Sequence, residues 1–222
     1  MYIHTTANFT DVGTVYGTLL NHASFFTQLG DAVDRPPYKG APKAPVLFVK
    51  PRNTWVGAGD PVEIPAEFPE LQAAASVGMV ISRDACALSP ANALDHVAGF
   101  LIVNDVSVPH AHYYRPSIRF KARDGFCPLG TLVPIREVPN ADALMMHTYV
   151  DGVRRQTTST EEMLRSSRQL LADVTEFMTL SAGDILCLGS AAGPPRVRPG
   201  QVVTVEIERL GALSNPFIAE RT

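Results

Sequence analysis

The chain is poor in cysteine and tryptophan, has no long apolar run, and carries no excess of positive charge. Its 222 residues include three cysteines and one tryptophan. Cys86, Cys127 and Cys187 lie far apart, form no CxxC pair, and as an odd number cannot all be joined in disulfides. A disulfide scaffold is excluded, and reduced thiols in a cytoplasmic setting are expected. The apolar stretches, such as residues 97–103, fall far short of the roughly 20 residues needed for a membrane helix. The N-terminus lacks the basic, apolar and small-residue order of a signal peptide. Neither a membrane partner nor export is therefore expected. Lys and Arg total 19 against 22 Asp and Glu, a net charge of −3 with no basic block. The electrostatic footprint of nucleic-acid binding is missing.

What is present suits a packed core: 45% hydrophobic and 18% charged residues. Sixteen glycines and eighteen prolines point to a turn-rich, strand-rich chain rather than a helical bundle. At roughly 150 residues per domain, the length allows one large or two small domains. A soft boundary near residue 70 divides a small N-terminal region, 1–70, from a larger one, 71–222.

Strands are predicted over 14–21, 46–49, 77–81, 97–105, 144–150, 153–156, 185–188 and 202–207. Asp151-Gly152 joins two of them as a hairpin. Helices are predicted over 22–33 and, from Ser89-Pro90, to about His96. Ser159 with Glu162 is a capping-box pattern, and Met163, Leu164, Leu170, Leu171, Val174, Phe177 and Met178 keep helical spacing. These predict the one long helix.

Several residues could carry chemistry. Asp105 ends an apolar strand, where a carboxylate needs a donor, a cation or solvent; it could also simply cap the following turn. Lys121, Arg123 and Asp124 form a dense charged segment between two phenylalanines. That segment is either a solvated surface or a cationic pocket for a di- or tricarboxylate. Lys50 and Arg52 make a second cationic turn at a strand end. Ser190 sits in the small-residue loop 189–193, which suits close approach of backbone amides to an anion. His22 is a candidate proton carrier or a helix cap. His110 and His112 permit metal binding or belong to an exposed loop.

Val97-Ala98-Gly99-Phe100 with Asn104-Asp105-Val106-Ser107 resembles the strand-end signature of the fumarylacetoacetate hydrolase superfamily. Lys121 with residues 124–130, Gly183-Asp184, the 189–193 loop, Gly200, Gly211 and Asn215-Pro216 are similar too. The likeness runs from about Val46 to Pro216. Pro37-Tyr38-Lys39, residues 48–54, Tyr114-Arg115-Pro116 and residues 123–128 resemble one branch of that superfamily. In bacterial 4-hydroxyphenylacetate (homoprotocatechuate) catabolism, that branch decarboxylates 5-oxopent-3-ene-1,2,5-tricarboxylate and isomerises 2-hydroxyhepta-2,4-diene-1,7-dioate.

The resemblance implies a mixed α+β, predominantly β fold, a β-roll domain with a small N-terminal region, usually dimeric. It implies lyase or isomerase chemistry through an enolate held by a lysine and a divalent cation, Mg²⁺ or Mn²⁺. The family's cation is bound by two glutamates on one strand and an aspartate on the next. Here Ala74 and Ser76 stand in place of the glutamates and only Asp105 remains, so metal binding is expected to be weak or absent. Asp105 is expected to pair with Lys121, or failing that with Arg123 or Arg52. Catalysis then falls to Lys121, Asp105 and His22, and substrate binding to Lys50, Arg52, Arg123, Asp124 and Ser190. The expected partners are a di- or tricarboxylate substrate and a second copy or a paralogous subunit. Two alternatives stand beside this. One is a weakened structural or regulatory subunit paired with a metal-bearing paralogue; the other is a different 2-oxo-acid hydrolase or lyase of the superfamily.

Overall fold

The computed structural model describes residues 9–110, 113 and 118–220. The first half runs β1 (Val15–Leu19), α1 (Ala23–Leu29), β2 (Val46–Lys50), β3 (Trp55–Val56), β4 (Val62–Ile64), β5 (Leu71–Gln72), β6 (Ala75–Ile81) and β7 (Val97–Asn104). The second runs α2 (Ile118–Lys121), β8 (Cys127–Pro128), β9 (Val133–Pro134), β10 (Met145–Val150), β11 (Val153–Ser159), α3 (Ser167–Thr175), β12 (Ile185–Cys187), β13 (Arg196–Val197), β14 (Val202–Ile207) and β15 (Gly211–Ala219). The architecture is mixed α+β and mostly strand. Among the described residues, no helix is long and apolar enough to cross a membrane.

Two sheets dominate. One has the order β2-β1-β12-β6-β7-β9, the other β11-β10-β14-β15-β4, with ribbons β13-β5 and β3-β8 beside them. In β10 and β14 every second side chain is buried: Met146, Thr148 and Val150, then Val203, Val205 and Ile207. That is the alternation of a sheet with one face on the core. β6 and β7 are apolar on both faces and are covered on both. Val77, Met79, Phe100 and Ile102 join the main core with residues of β14, while Leu101 and Val103 pack with Trp55, Cys127 and Ile185.

The expected division near residue 70 does not separate two sheets. β1 lies between β2 and β12, pairing parallel to β12 through Val15↔Ile185. β4 pairs parallel to β15 through Phe217↔Val62. The Gly- and Pro-rich segment 57–69 resembles a linker in composition, yet it contains a strand built into the second sheet.

Helices are shorter than periodicity predicts. α1 gives way at Gly30 to a 3₁₀ turn, Gly30–Asp34, and the segment after Ser89-Pro90 is 3₁₀ at Ala93–His96. The predicted long helix is broken. β11 extends to Ser159, whose hydroxyl caps only the 3₁₀ turn Thr160–Glu162, and Ser166 opens α3. Leu164 and Phe177, counted into the helical stripe, are instead exposed. β15 was hidden from sequence by Gly211 and Pro216, residues that disfavour strand interiors.

Phe48 of β2 lies over Gly17 of β1, with which it is paired, and its ring packs 4.4 Å from the Lys121 ammonium. A Cβ at Gly17 would collide with that ring. Gly17→Ala is expected to destabilise the protein by about 1–3 kcal/mol through overpacking. Urea denaturation measures it, and a variant as stable as the parent would contradict this packing.

A lysine–aspartate–lysine candidate active site

Asp105 directly follows β7, and its N–H donates to Ala74 O at 2.8 Å, extending the ladder onto β6. The carboxylate is thereby fixed at 7% exposure. Lys121, the last residue of α2, donates to Asp105 Oδ2 at 2.6 Å. Lys50, the last residue of β2, places Nζ 2.8 Å from Asp105 Oδ1. All three Lys50 protons are used elsewhere, on the carbonyls of Val106 (2.7 Å), Lys121 (2.9 Å) and Phe126 (2.7 Å). Lys50 therefore gives Oδ1 charge but no directed hydrogen, and Oδ1 accepts no hydrogen bond among the described residues.

Burial alone would raise the Asp105 pKa, but Lys121 and then Lys50 outweigh it and bring it down to about 2. Burial lowers Lys121 below its ordinary value, against the pull of Asp105 and with Lys50 adding its like charge. Two ammonium groups and one carboxylate leave the cluster at +1. With its pKa held down at about 2, Asp105 is a fixed charge rather than a base.

Above the cluster opens a cleft lined by Leu19, Phe25, Gln72, Ala74, Ser107, His110, Tyr113 and Ser190 as well as Asp105 and Lys121. Phe25 of α1 meets Tyr113 edge to face at 4.9 Å. The 189–193 loop is pinned at several points. Ser76 Oγ donates to Gly189 O at 2.8 Å, Ala192 N–H donates to Ser24 Oγ at 2.9 Å, and Gln156 donates to Ala192 O at 3.0 Å. The N–H groups of residues 189–191 find no acceptor among the described residues.

Ser76 and Ala74, the expected replacements for two glutamates, both border Asp105 through adjoining hollows. These residues do not fit a divalent cation. A hard cation gathers several oxygens, whereas here one carboxylate already sits between two ammonium groups. Among the described residues no group of three or more His, Cys, Asp or Glu converges.

The other expected site residues separate. Lys50, Lys121, Asp105 and Ser190 come together. His22 does not line the cleft: it is fully buried as the N-cap of α1, and its Nδ1 accepts the Ser24 N–H at 3.2 Å. The Ser24 hydroxyl lies 2.8 Å from the same nitrogen. Burial lowers its pKa, partly offset by Glu162, and its link to the 189–193 loop runs through Ser24, whose hydroxyl accepts the Ala192 N–H. A residue directly before a helix turns back onto its first N–H groups, which takes it out of the cleft. Arg52 is exposed on a 3₁₀ turn, Arg123 pairs with Glu67 at 2.9 Å, and Asp124 accepts from Asn53 at 2.6 Å. None of these three lines the cleft. His110 does line it, packed on Phe120, while His112 and Tyr114-Arg115-Pro116 lie outside the described residues. Gln72 and Tyr113 were not anticipated, for no local pattern marks them, and Ser107 stood in the strand-end signature without a site role. A bridge between Gln72 and Ser107, 35 residues apart, brings those two together.

Residues 14–218 match the model of the fumarylacetoacetate (FAA) hydrolase C-terminal family, and the chain belongs to that family. Within it, the chain is 36% identical over 209 residues to the 4-hydroxyphenylacetate degradation bifunctional isomerase/decarboxylase of Escherichia coli, covering 94% of this chain and 48% of that one. It thus spans about half the length of the curated relatives it matches. Among solved structures it resembles 5-carboxymethyl-2-hydroxymuconate delta-isomerase from Mycobacterium smegmatis, with TM-score 0.81, 26% identity, and 96% and 81% of the two chains covered. It also shares the fold of Pseudomonas aeruginosa fumarylpyruvate hydrolase, solved in complex with Mn²⁺ and pyruvate, with TM-score 0.78, 24% identity, and 94% and 91% covered.

Asp105→Asn would leave two buried ammonium groups uncompensated and is expected to cost about 3–5 kcal/mol. The sign with pH follows from the lowered Asp105 pKa. Its contribution is complete above the ordinary 3.8 and is lost as pH falls toward about 2. Urea denaturation between pH 5 and pH 2 should show a fall in stability that Asp105→Asn flattens. Equal slopes in both proteins would remove the ion cluster as the cause.

Proposed function

We propose that the chain decarboxylates or isomerises a 2-oxo or enol acid with several carboxylates, using Lys121 rather than a metal ion as the electrophile. The observation that carries this is the buried Lys50–Asp105–Lys121 cluster on the floor of the cleft. Lys121 spends one proton on Asp105, leaving donors for a substrate oxygen. A fixed ammonium on the floor of the cleft stabilises the enolate oxygen that develops in either reaction.

In decarboxylation, the electrons of the breaking C–C bond flow into the carbonyl and give an enolate facing Lys121. Carbon dioxide leaves and a proton is delivered to carbon. In isomerisation, a proton leaves one carbon and returns to another through the same enolate. With its pKa lowered, Lys121 is a better proton donor than an ordinary lysine. Asp105 keeps it oriented and Lys50 holds Asp105. Ser190 and the unpartnered N–H groups of its loop receive the adjacent carboxylate.

The substrates to test are 5-oxopent-3-ene-1,2,5-tricarboxylate and 2-hydroxyhepta-2,4-diene-1,7-dioate, a choice supported by the E. coli isomerase/decarboxylase. We place the reaction in the cytoplasm, in a homodimer or beside a paralogous subunit. A second reading is a weakened half that works beside a metal-bearing one. The carboxylate-free Ala74 and Ser76, and the half-length match to relatives, favour it.

An assay of the purified chain alone separates the two readings, turnover supporting the first and inactivity the second. Lys121→Met is expected to lower kcat about 100–1000-fold, as for loss of one oxyanion donor, with the circular dichroism unchanged. Near-native turnover in that variant would remove Lys121 from the mechanism. The parent's rate should be indifferent to chelator, and metal analysis should find well below one equivalent of Mg²⁺ or Mn²⁺ per chain. A rate lost to chelator and restored by Mg²⁺ would overturn the metal-free scheme.

A further inference from the structure

The floor of the cleft carries one excess positive charge, and a second lies at its rim. Gln72 and Pro194 line the cleft, and Arg196 stands opposite Gln72 in the antiparallel β5–β13 ribbon. Directly opposed residues of such a pair project from the same face, which puts Arg196 on the cleft side. Tyr113, another lining residue, feels that guanidinium. Burial and Tyr38 raise the phenol's pKa, and Arg196 opposes the rise.

The guanidinium is loosely held. Arg196 Nη1 is 3.8 Å from Glu70 Oε1, and Arg198 Nε is 3.6 Å from Glu70 Oε2. Two cations thus share one carboxylate at distances too long for strong hydrogen bonds, leaving +1 at the rim of a chain whose net charge is −3. Among the described residues, Asp105 is the only carboxylate lining the cleft, and it is already outweighed by two lysines. Leu19, Phe25, Ala74 and Ser107 contribute uncharged lining to the same cleft.

We infer that Arg196 receives the substrate's second carboxylate, remote from the reacting carbonyl, so that the cleft selects 2-oxo dicarboxylates over 2-oxo monocarboxylates. This rests on the proposed function, which places the reacting end at Lys121. Glu70 steadies the guanidinium while the cleft is empty, and an incoming carboxylate offers the shorter, bidentate contact that Glu70 does not make. Binding energy gathered at this distance from the chemistry can hold the reacting end against the ammonium.

The test is calorimetric binding of pyruvate, 2-oxoglutarate and 2-oxoadipate to the parent chain, Arg196→Gln, Arg196→Lys and Arg198→Gln. The parent should bind at least one diacid about tenfold or more tightly than pyruvate, the scale of one charge-assisted contact. Arg196→Gln should abolish that preference while leaving pyruvate affinity within about twofold. Arg196→Lys should restore part of it, and Arg198→Gln should keep most of it. A diacid preference surviving in Arg196→Gln, or no preference in a parent that binds pyruvate, would overturn the inference and leave the proposed function standing. A parent that binds none of the three acids would overturn both. Arg196 is half exposed, so a matched melting temperature should show that the variants are folded.

Discussion

The Lys50 ammonium is buried among three carbonyl oxygens and one carboxylate, and the surrounding chain converges on it. Burying a charge is costly unless it is paired and fully hydrogen-bonded, and here all three protons are used. The carbonyls come from Val106, after β7, from Lys121, closing α2, and from Phe126, just before β8. One side chain thus ties together the turn that carries Asp105 and both ends of the segment that carries Lys121. Trp55 adds a lateral brace by donating to the Lys50 carbonyl at 2.8 Å. Because Lys50 has no proton left for Asp105, that carboxylate can direct its hydrogen-bonded oxygen at Lys121 alone.

Much of the fold was legible because it follows from local periodicity. β1, β2, β6, β7, β10, β11, β12 and β14 are short apolar or alternating runs, and their positions agree with expectation to within a few residues. Where the sequence misleads, long-range pairing is the reason. Ser159 and Glu162 carry a helix-start pattern, but β10 holds Ser159 in its ladder opposite Met145, and the helix cannot begin until Ser166. At the site, the Asp105–Lys121 pair was foreseeable, since a carboxylate ending an apolar strand needs a cation. Lys50 was foreseen as a cation for substrate rather than as the hub of the cluster. Arg52, Arg123 and Asp124 share its charge and its neighbourhood in sequence, yet all three lie outside the cleft. Charge density in a segment does not tell which side chain the fold turns inward.

The cluster gathers positive charge at the end of β7 with side chains alone. A metal presents positive charge on one atom and requires several oxygens around it. Two lysines present positive charge on two atoms and require only one carboxylate between them. Ala74 and Ser76 are compatible with the second arrangement and not the first. Ser76 anchors Gly189 in the loop that flanks the cleft.

The placement of β1 and β4 bears on how the molecule is made. β1 needs β12, 170 positions onward through Val15↔Ile185, and β4 has no neighbour in its sheet until β15 is present. During synthesis the first seventy residues therefore emerge with strand edges that no nearby segment can cover. Loop-closure entropy must be met before such distant pairings stabilise anything, which makes this a slow-folding topology. The nascent chain's exposure to aggregation is concentrated in that interval, before its later strands arrive.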